Sequence, residues 1–294
     1  MSKSSFTGLG GRTGRALAVL ALGLFVALGL SALPSGGSLA QSDGRVLRDV
    51  EYGANPMQTM DIYLPPKLDD PPAILMLHGG AWMVGDKTVD DVVANKTRHW
   101  LDRGYVFISV NTRLMPEADP LEQAEDLAAA LAAAQSMAGS WGGDPGRFVL
   151  MGHSSGGHLA ALLAADPDIA SRNGAVPWLG TVVLDGGYDI SELMGRKHMA
   201  FYDKVFGDDP EFWRDASPLH RLADPPAPML LVCSSLSATA CPRAEAFADR
   251  VGDLGGRATV LPEALSHSAI NADLGLAGKY TDSVDMFLAS VGLL

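Results

Sequence analysis

Gly152-His153-Ser154-Ser155-Gly156 has the composition of a nucleophile's turn. Its central serine is flanked by glycines, which accept backbone angles and close approaches that a side chain would block. The apolar run Arg147-Phe148-Val149-Leu150-Met151 before it reads as a buried strand. Gly157-His158-Leu159-Ala160-Ala161-Leu162-Leu163-Ala164-Ala165 after it reads as the start of a helix. A strand, a turn this tight and a helix expose the serine oxygen above a sheet and aim the neighbouring N–H groups at the same point. Such an oxygen attacks a carbonyl carbon once a base has taken its proton.

Seventy-five residues upstream of Ser154, another apolar run, Ala73-Ile74-Leu75-Met76-Leu77, leads into His78-Gly79-Gly80-Ala81-Trp82. Two glycines after a strand end leave backbone N–H groups free to face a cavity, as an oxyanion site requires. An ordinary glycine turn would explain the triplet standing alone. Paired with the serine turn, it predicts Gly79, Gly80 and Ser155 as donors to a developing oxyanion, with Trp82 at the substrate pocket. The base must come from seven histidines. His78 belongs to the glycine loop and braces it. His153 and His158 are too close to Ser154 in sequence to arch over its oxygen, and His99 lies on a helix away from the site. His198 and His220 fall in an irregular segment. His267 lies in the loop after the last strand, beside the serine turn, and is the expected base.

The remaining elements must hold these groups. Arg45 to Gly53 and Met57 to Leu64 read as two edge strands around an Asn55-Pro56 turn. Thr88 to Arg103 reads as a helix, Tyr105 to Val110 as a buried strand and Pro120 to Trp141 as an Ala-rich helix. Gly180 to Leu184, Met229 to Cys233 and Ala258 to Leu261 are further strands, with a helix over Pro242 to Leu254 and closing helices over 269–277 and 279–292. Alternating strands and helices imply an α/β fold, a mostly parallel central sheet with helices on both faces. Residues 191–222, rich in large apolar groups, predict a small cap segment. No repeat or low-complexity linker falls within residues 45–294, and residues 41–294 read as one domain.

The chain has 294 residues, 47% apolar and 19% charged, and a formal net charge of −12. Residues 1–40 carry Lys3, Arg12 and Arg15 and no acid. Removing those three charges leaves −15, which argues against nucleic acid or an anionic membrane as partner. The basic start, the apolar run Ala16 to Leu33 and Ser38-Leu39-Ala40 predict a secretory signal cleaved after Ala40, hence an exported protein. An uncleaved anchor is the rival reading. The two cysteines, Cys233 and Cys241, stand eight apart with turn character between them. In an exported chain they predict a disulfide, against two buried free thiols. No ligand-spaced His/Cys cluster is present, so neither a metal nor an organic cofactor is expected. Oligomeric state is not readable.

His78-Gly79-Gly80-Ala81-Trp82, Gly85-Asp86-Lys87, Arg113-Leu114 before Pro116 and the stretch Gly152 to Ala160 together resemble the α/β-hydrolase superfamily, in particular esterases and lipases of its hormone-sensitive-lipase-like and bacterial feruloyl-esterase-like groups. The resemblance runs from about Tyr52 to Leu276. Position 112 is Thr where the family usually shows Tyr. It implies an α/β-hydrolase fold, Ser154 as nucleophile, His267 as base, and hydrolysis of small carboxylic esters through an acyl-enzyme. Amide hydrolysis on the same machinery, as in an arylformamidase or peptidase, and a non-catalytic binding protein are the alternatives. The family usually carries its acid after the strand ending at Cys233. Here that stretch is Ser234-Ser235-Leu236-Ser237-Ala238-Thr239-Ala240, without a carboxylate. Asp185 at the end of the preceding strand, Glu263 near His267, or a neutral group such as Thr239 or Ser237 remain as candidates, and Asp185 is the one carried forward.

Overall fold

A computed structural model of the chain describes residues 45–293. The expected signal segment, with its cleavage after Ala40, lies outside the described residues. Eight strands form one sheet: β1 (Val46–Glu51), β2 (Thr59–Tyr63), β3 (Ala73–Leu77), β4 (Val106–Val110), β5 (Phe148–His153), β6 (Gly180–Leu184), β7 (Met229–Ser234) and β8 (Ala258–Glu263). Their spatial order is β1-β2-β4-β3-β5-β6-β7-β8. β1 and β2 pair antiparallel, as do β2 and β4, and the other five pairings are parallel. The strands from β3 to β7 are apolar runs because helices cover both of their faces.

The period of two along each strand sorts the core into two layers. Leu75, Leu77, Phe148 and Leu150 face one layer, shared with α2 (Pro120–Met137), α3 (Ser155–Ala165) and α9 (Ala240–Asp253). Ile74, Met76, Val149 and Met151 face the other, shared with α1 (Asp90–Leu101), α10 (His267–Ala272) and α11 (Lys279–Ser290). The short α4 (Pro167–Arg172) follows α3. Residues 190–221 form four short helices on the first layer: α5 (Ile190–Met194), α6 (Phe201–Phe206), α7 (Pro210–Asp215) and α8 (Pro218–Arg221). α2 opens with a reciprocal cap, in which Asp119 accepts from the Leu121 and Glu122 N–H groups and Glu122 accepts from the Asp119 N–H.

Three elements differ from their sequence reading. Met57 to Leu64 contains no edge strand: β2 lies between β1 and β4, and the edges are β1 and β8. Its Asp61 disguised it. That carboxylate is fully buried, and it is acceptable there because Lys87 Nζ and Arg48 Nη1 approach it at 3.0 and 2.5 Å. The helix expected over 269–277 runs instead from His267 to Ala272. The chain beyond takes a left-handed turn at Gly275 (φ 101°), packed against the backbone of Asn95, where a side chain would not fit. The helix expected from Pro242 begins two residues earlier, at Ala240.

Candidate active site

Ser154 sits between β5 and α3 with φ 54° and ψ −116°, a conformation that side chains rarely adopt. The glycines make it possible. A Cβ on Gly152 would overlap the backbone of Gly156, and one on Gly156 would overlap the carbonyls of Leu77 and His78. The turn is pressed against the loop after β3. Among the described residues six non-glycines have positive φ, and four of them, Ala81, Trp82, Ser154 and Asp185, surround this one point. Such concentrated strain marks a place where the fold over-determines the backbone.

The loop after β3 is braced from all sides. The His78 ring packs on Gly85, and its Nδ1 hydrogen-bonds to the Gly79 carbonyl. Asn111 Nδ2 donates to Asp86 at 2.9 Å. Gln123 Nε2 donates to the Trp82 carbonyl at 2.9 Å. Trp82 Nε1 donates to His158 Nδ1 at 3.1 Å, and His158 Nε2 donates to the Ala216 carbonyl at 2.7 Å, so loop, α3 and the segment before α8 are joined through one imidazole. Burial of the His158 ring lowers its pKa to about 4, which keeps it in the neutral tautomer that this relay needs. Trp82 touches the cleft but is 7% exposed; its ring packs edge-on against Phe206 and Tyr202. The N–H groups of Gly79, Gly80 and Ser155 meet no acceptor among the described residues, and all three residues line the cleft beside Ser154.

His267 lies at the start of α10. Its Nδ1 donates to Asp185 Oδ2 at 2.6 Å, which leaves Nε2 as acceptor for the Ser154 hydroxyl at 2.9 Å. The Asp185 side chain is 8% exposed and that of His267 50%. Burial pushes the Asp185 carboxyl up. Hydrogen bonds from His267 and from the Ser234 N–H outweigh it and hold the group below the usual carboxylate range. Asp185 therefore stays ionised next to the imidazole. Glu263, Ser237 and Thr239 make no hydrogen bond to the His267 ring: the Ser237 hydroxyl accepts from the N–H groups of Thr239 and Ala240. His198 pairs with Asp203 at 2.9 Å and His220 with Asp189 at 3.4 Å, both away from Ser154. His99 pairs with Asp285 across α1 and α11. Cys233 and Cys241 are joined in a disulfide. Among the described residues no group of three His, Cys, Asp or Glu side chains is placed to hold a metal ion.

Sequence reasoning missed one neighbour. His153 Nε2 donates to the backbone carbonyl of His267 at 2.9 Å, with the two rings 4.7 Å apart. Burial first, and then the nearby His267, lower the His153 pKa to about 4. No sequence signal marks a bond to a carbonyl 114 residues away. The site opens into a cleft of about 1000 Å³ walled by Tyr188, Leu193, Phe201 and Tyr202, among others.

The fold matches a truncated carbohydrate esterase from gut microbiota with a TM-score of 0.72 at 18% identity, over 84% of this chain and 96% of that one. A family model described as BD-FAE matches residues 60–178, from β2 past the serine turn. The chain has the α/β-hydrolase fold. Relatives of the chain include the isoprenylcysteine alpha-carbonyl methylesterase ICME of Arabidopsis thaliana, 25% identical over 237 residues, covering 74% of this chain and 55% of that protein. Esterase LipC of Mycobacterium tuberculosis is 28% identical over 204 residues, 64% of this chain and 50% of that protein. The chain spans about half the length of these relatives.

Proposed function

We propose that this protein is an exported serine carboxylic-ester hydrolase of the α/β-hydrolase superfamily, acting through an acyl-enzyme on Ser154. The observation that carries the reading is the single imidazole bridging Asp185 and the Ser154 hydroxyl, at 2.6 and 2.9 Å. Ser154 Oγ attacks the ester carbonyl while His267 Nε2 takes its proton. Asp185 holds the ring with its proton on Nδ1 and stabilises the imidazolium that forms. The N–H groups of Gly79, Gly80 and Ser155 receive the oxyanion, fixed in advance and so costing no reorganisation. His267 then protonates the departing alcohol. Water, activated by the same imidazole, releases the acid and restores Ser154. The names of two relatives as esterases support the bond class. The aromatic and aliphatic cleft wall supports short-to-medium acyl or aryl esters as substrates. Export rests on the N-terminal sequence and agrees with the disulfide.

Hydrolysis of p-nitrophenyl acetate and butyrate by residues 41–294 tests this. Ser154→Ala and His267→Ala should lower kcat by several orders of magnitude, and Asp185→Asn by about four, since the wrong imidazole tautomer is then favoured. No turnover by the parent, with Ser154 also unlabelled by a fluorophosphonate, would reject the enzyme reading. Full activity in Asp185→Asn would reject this acid.

A further inference from the structure

We propose that Ser234 is a positioning residue, which sets the distance between the acid and the base by binding both of their loops at once. The inference rests on the reading of Ser154, His267 and Asp185 as the catalytic groups. β6 and β7 pair in parallel, with Leu184 opposite Val232, and the Asp185 N–H donates to the Val232 carbonyl at 2.8 Å. In a parallel ladder the next rung runs from the N–H of Ser234 to the carbonyl of Asp185. Asp185 leaves the strand at φ 50°, and Ser234 N–H donates instead to its side chain, to Oδ1 at 3.0 Å. The carboxylate is thus the last rung of the sheet. Oδ1 is held by β7, and Oδ2 is left for His267.

The other end of the same residue reaches the histidine. The Ser234 hydroxyl donates to the Leu265 carbonyl at 2.6 Å, two residues before His267. Ser234 is 3% exposed, so neither bond competes with bulk water. One residue therefore fixes the acid through its N–H and the base's loop through its hydroxyl. It is itself held on the strand end next to the Cys233–Cys241 disulfide. A serine that merely satisfied a buried carbonyl would affect stability alone. A positioning residue also sets turnover, because misplacing the acid or the base by an ångström slows the chemical steps far more than it weakens substrate binding.

The experiment compares Ser234→Ala, Ser234→Val and Ser234→Thr with the parent on p-nitrophenyl butyrate, below each protein's Tm. Rates are expressed per fluorophosphonate-reactive Ser154, so that unfolded chains do not count. All three variants keep the N–H, and the near-isosteric Thr and Val differ in the hydroxyl alone. Ala and Val should lose about tenfold or more in kcat, with KM within about twofold, while Thr should stay near the parent. Parent-like kcat in Ala and Val, whatever their Tm, would overturn the proposal while leaving the acid reading standing. Parent-like kcat in Asp185→Asn would overturn both.

Discussion

Gly80 has φ 138°, a Cβ there would overlap the Val84 carbonyl, and its own carbonyl closes the loop by accepting from the Met83 and Val84 N–H groups. Gly80→Ala should therefore move one proposed oxyanion donor out of place and lower kcat on p-nitrophenyl butyrate by about 10² to 10³, with a lower Tm as well because the Cβ strains this backbone; unchanged kcat would remove Gly80 from the oxyanion site. At this scale the sequence is legible where chemistry needs a local motif. Ser154 and the paired glycines announce themselves because a strained turn and a close backbone approach each demand glycine at a fixed spacing. His267 is found because topology leaves few loops beside the serine. Asp185 is harder, since a carboxylate at a strand end looks the same whether it serves the sheet or a histidine; here it contacts both. The bonds of His153 and Ser234 to backbone carbonyls are invisible, because any residue supplies a carbonyl.

The 233–241 disulfide ties the end of β7 to the first turn of α9, and the exposed residues it encloses, Leu236, Ser237 and Thr239 among them, form part of the cleft wall. A loop this short gives about 2.5 kcal/mol through the entropy of the unfolded chain. In a domain of this size that corresponds to about 5–10 °C in Tm. The double variant Cys233→Ala, Cys241→Ala should melt lower by that amount in a calorimetric scan, and equal melting temperatures would show that the crosslink is energetically idle. Element by element, the buried parallel strands were the easiest to read, since strands covered on both faces are continuous apolar runs. β2 looks like an edge strand because a buried, doubly paired Asp61 breaks its apolar pattern, and α10 looks longer than it is because its end is set by a packed turn at Gly275 rather than by a helix-breaking run.

Across the whole molecule, acid is the weak side. His153 and His158 are buried and neutral in the fold with pKa values of about 4, against 6.5 for the ordinary side chain. Between those pH values the unfolded chain binds more protons than the folded one, so stability falls as pH drops from 6.5 toward 4. Each ring accounts for about 3 kcal/mol over that window. Asp185, held below the usual carboxylate range, adds a loss in the same direction further down. Buried Lys96 acts at the other end: its pKa falls to about 7, chiefly through burial, so stability rises from there toward 10.5. Tm should therefore drop by at least about 10 °C between pH 7 and pH 4.5, and a flat profile across that interval would contradict neutral, buried imidazoles. The crosslink at the end of β7 also gives the protein a history. A chain made in a reducing cytosol and one made in an oxidising compartment share a sequence but are different samples, and a titration finding two free thiols or none tells which is in hand.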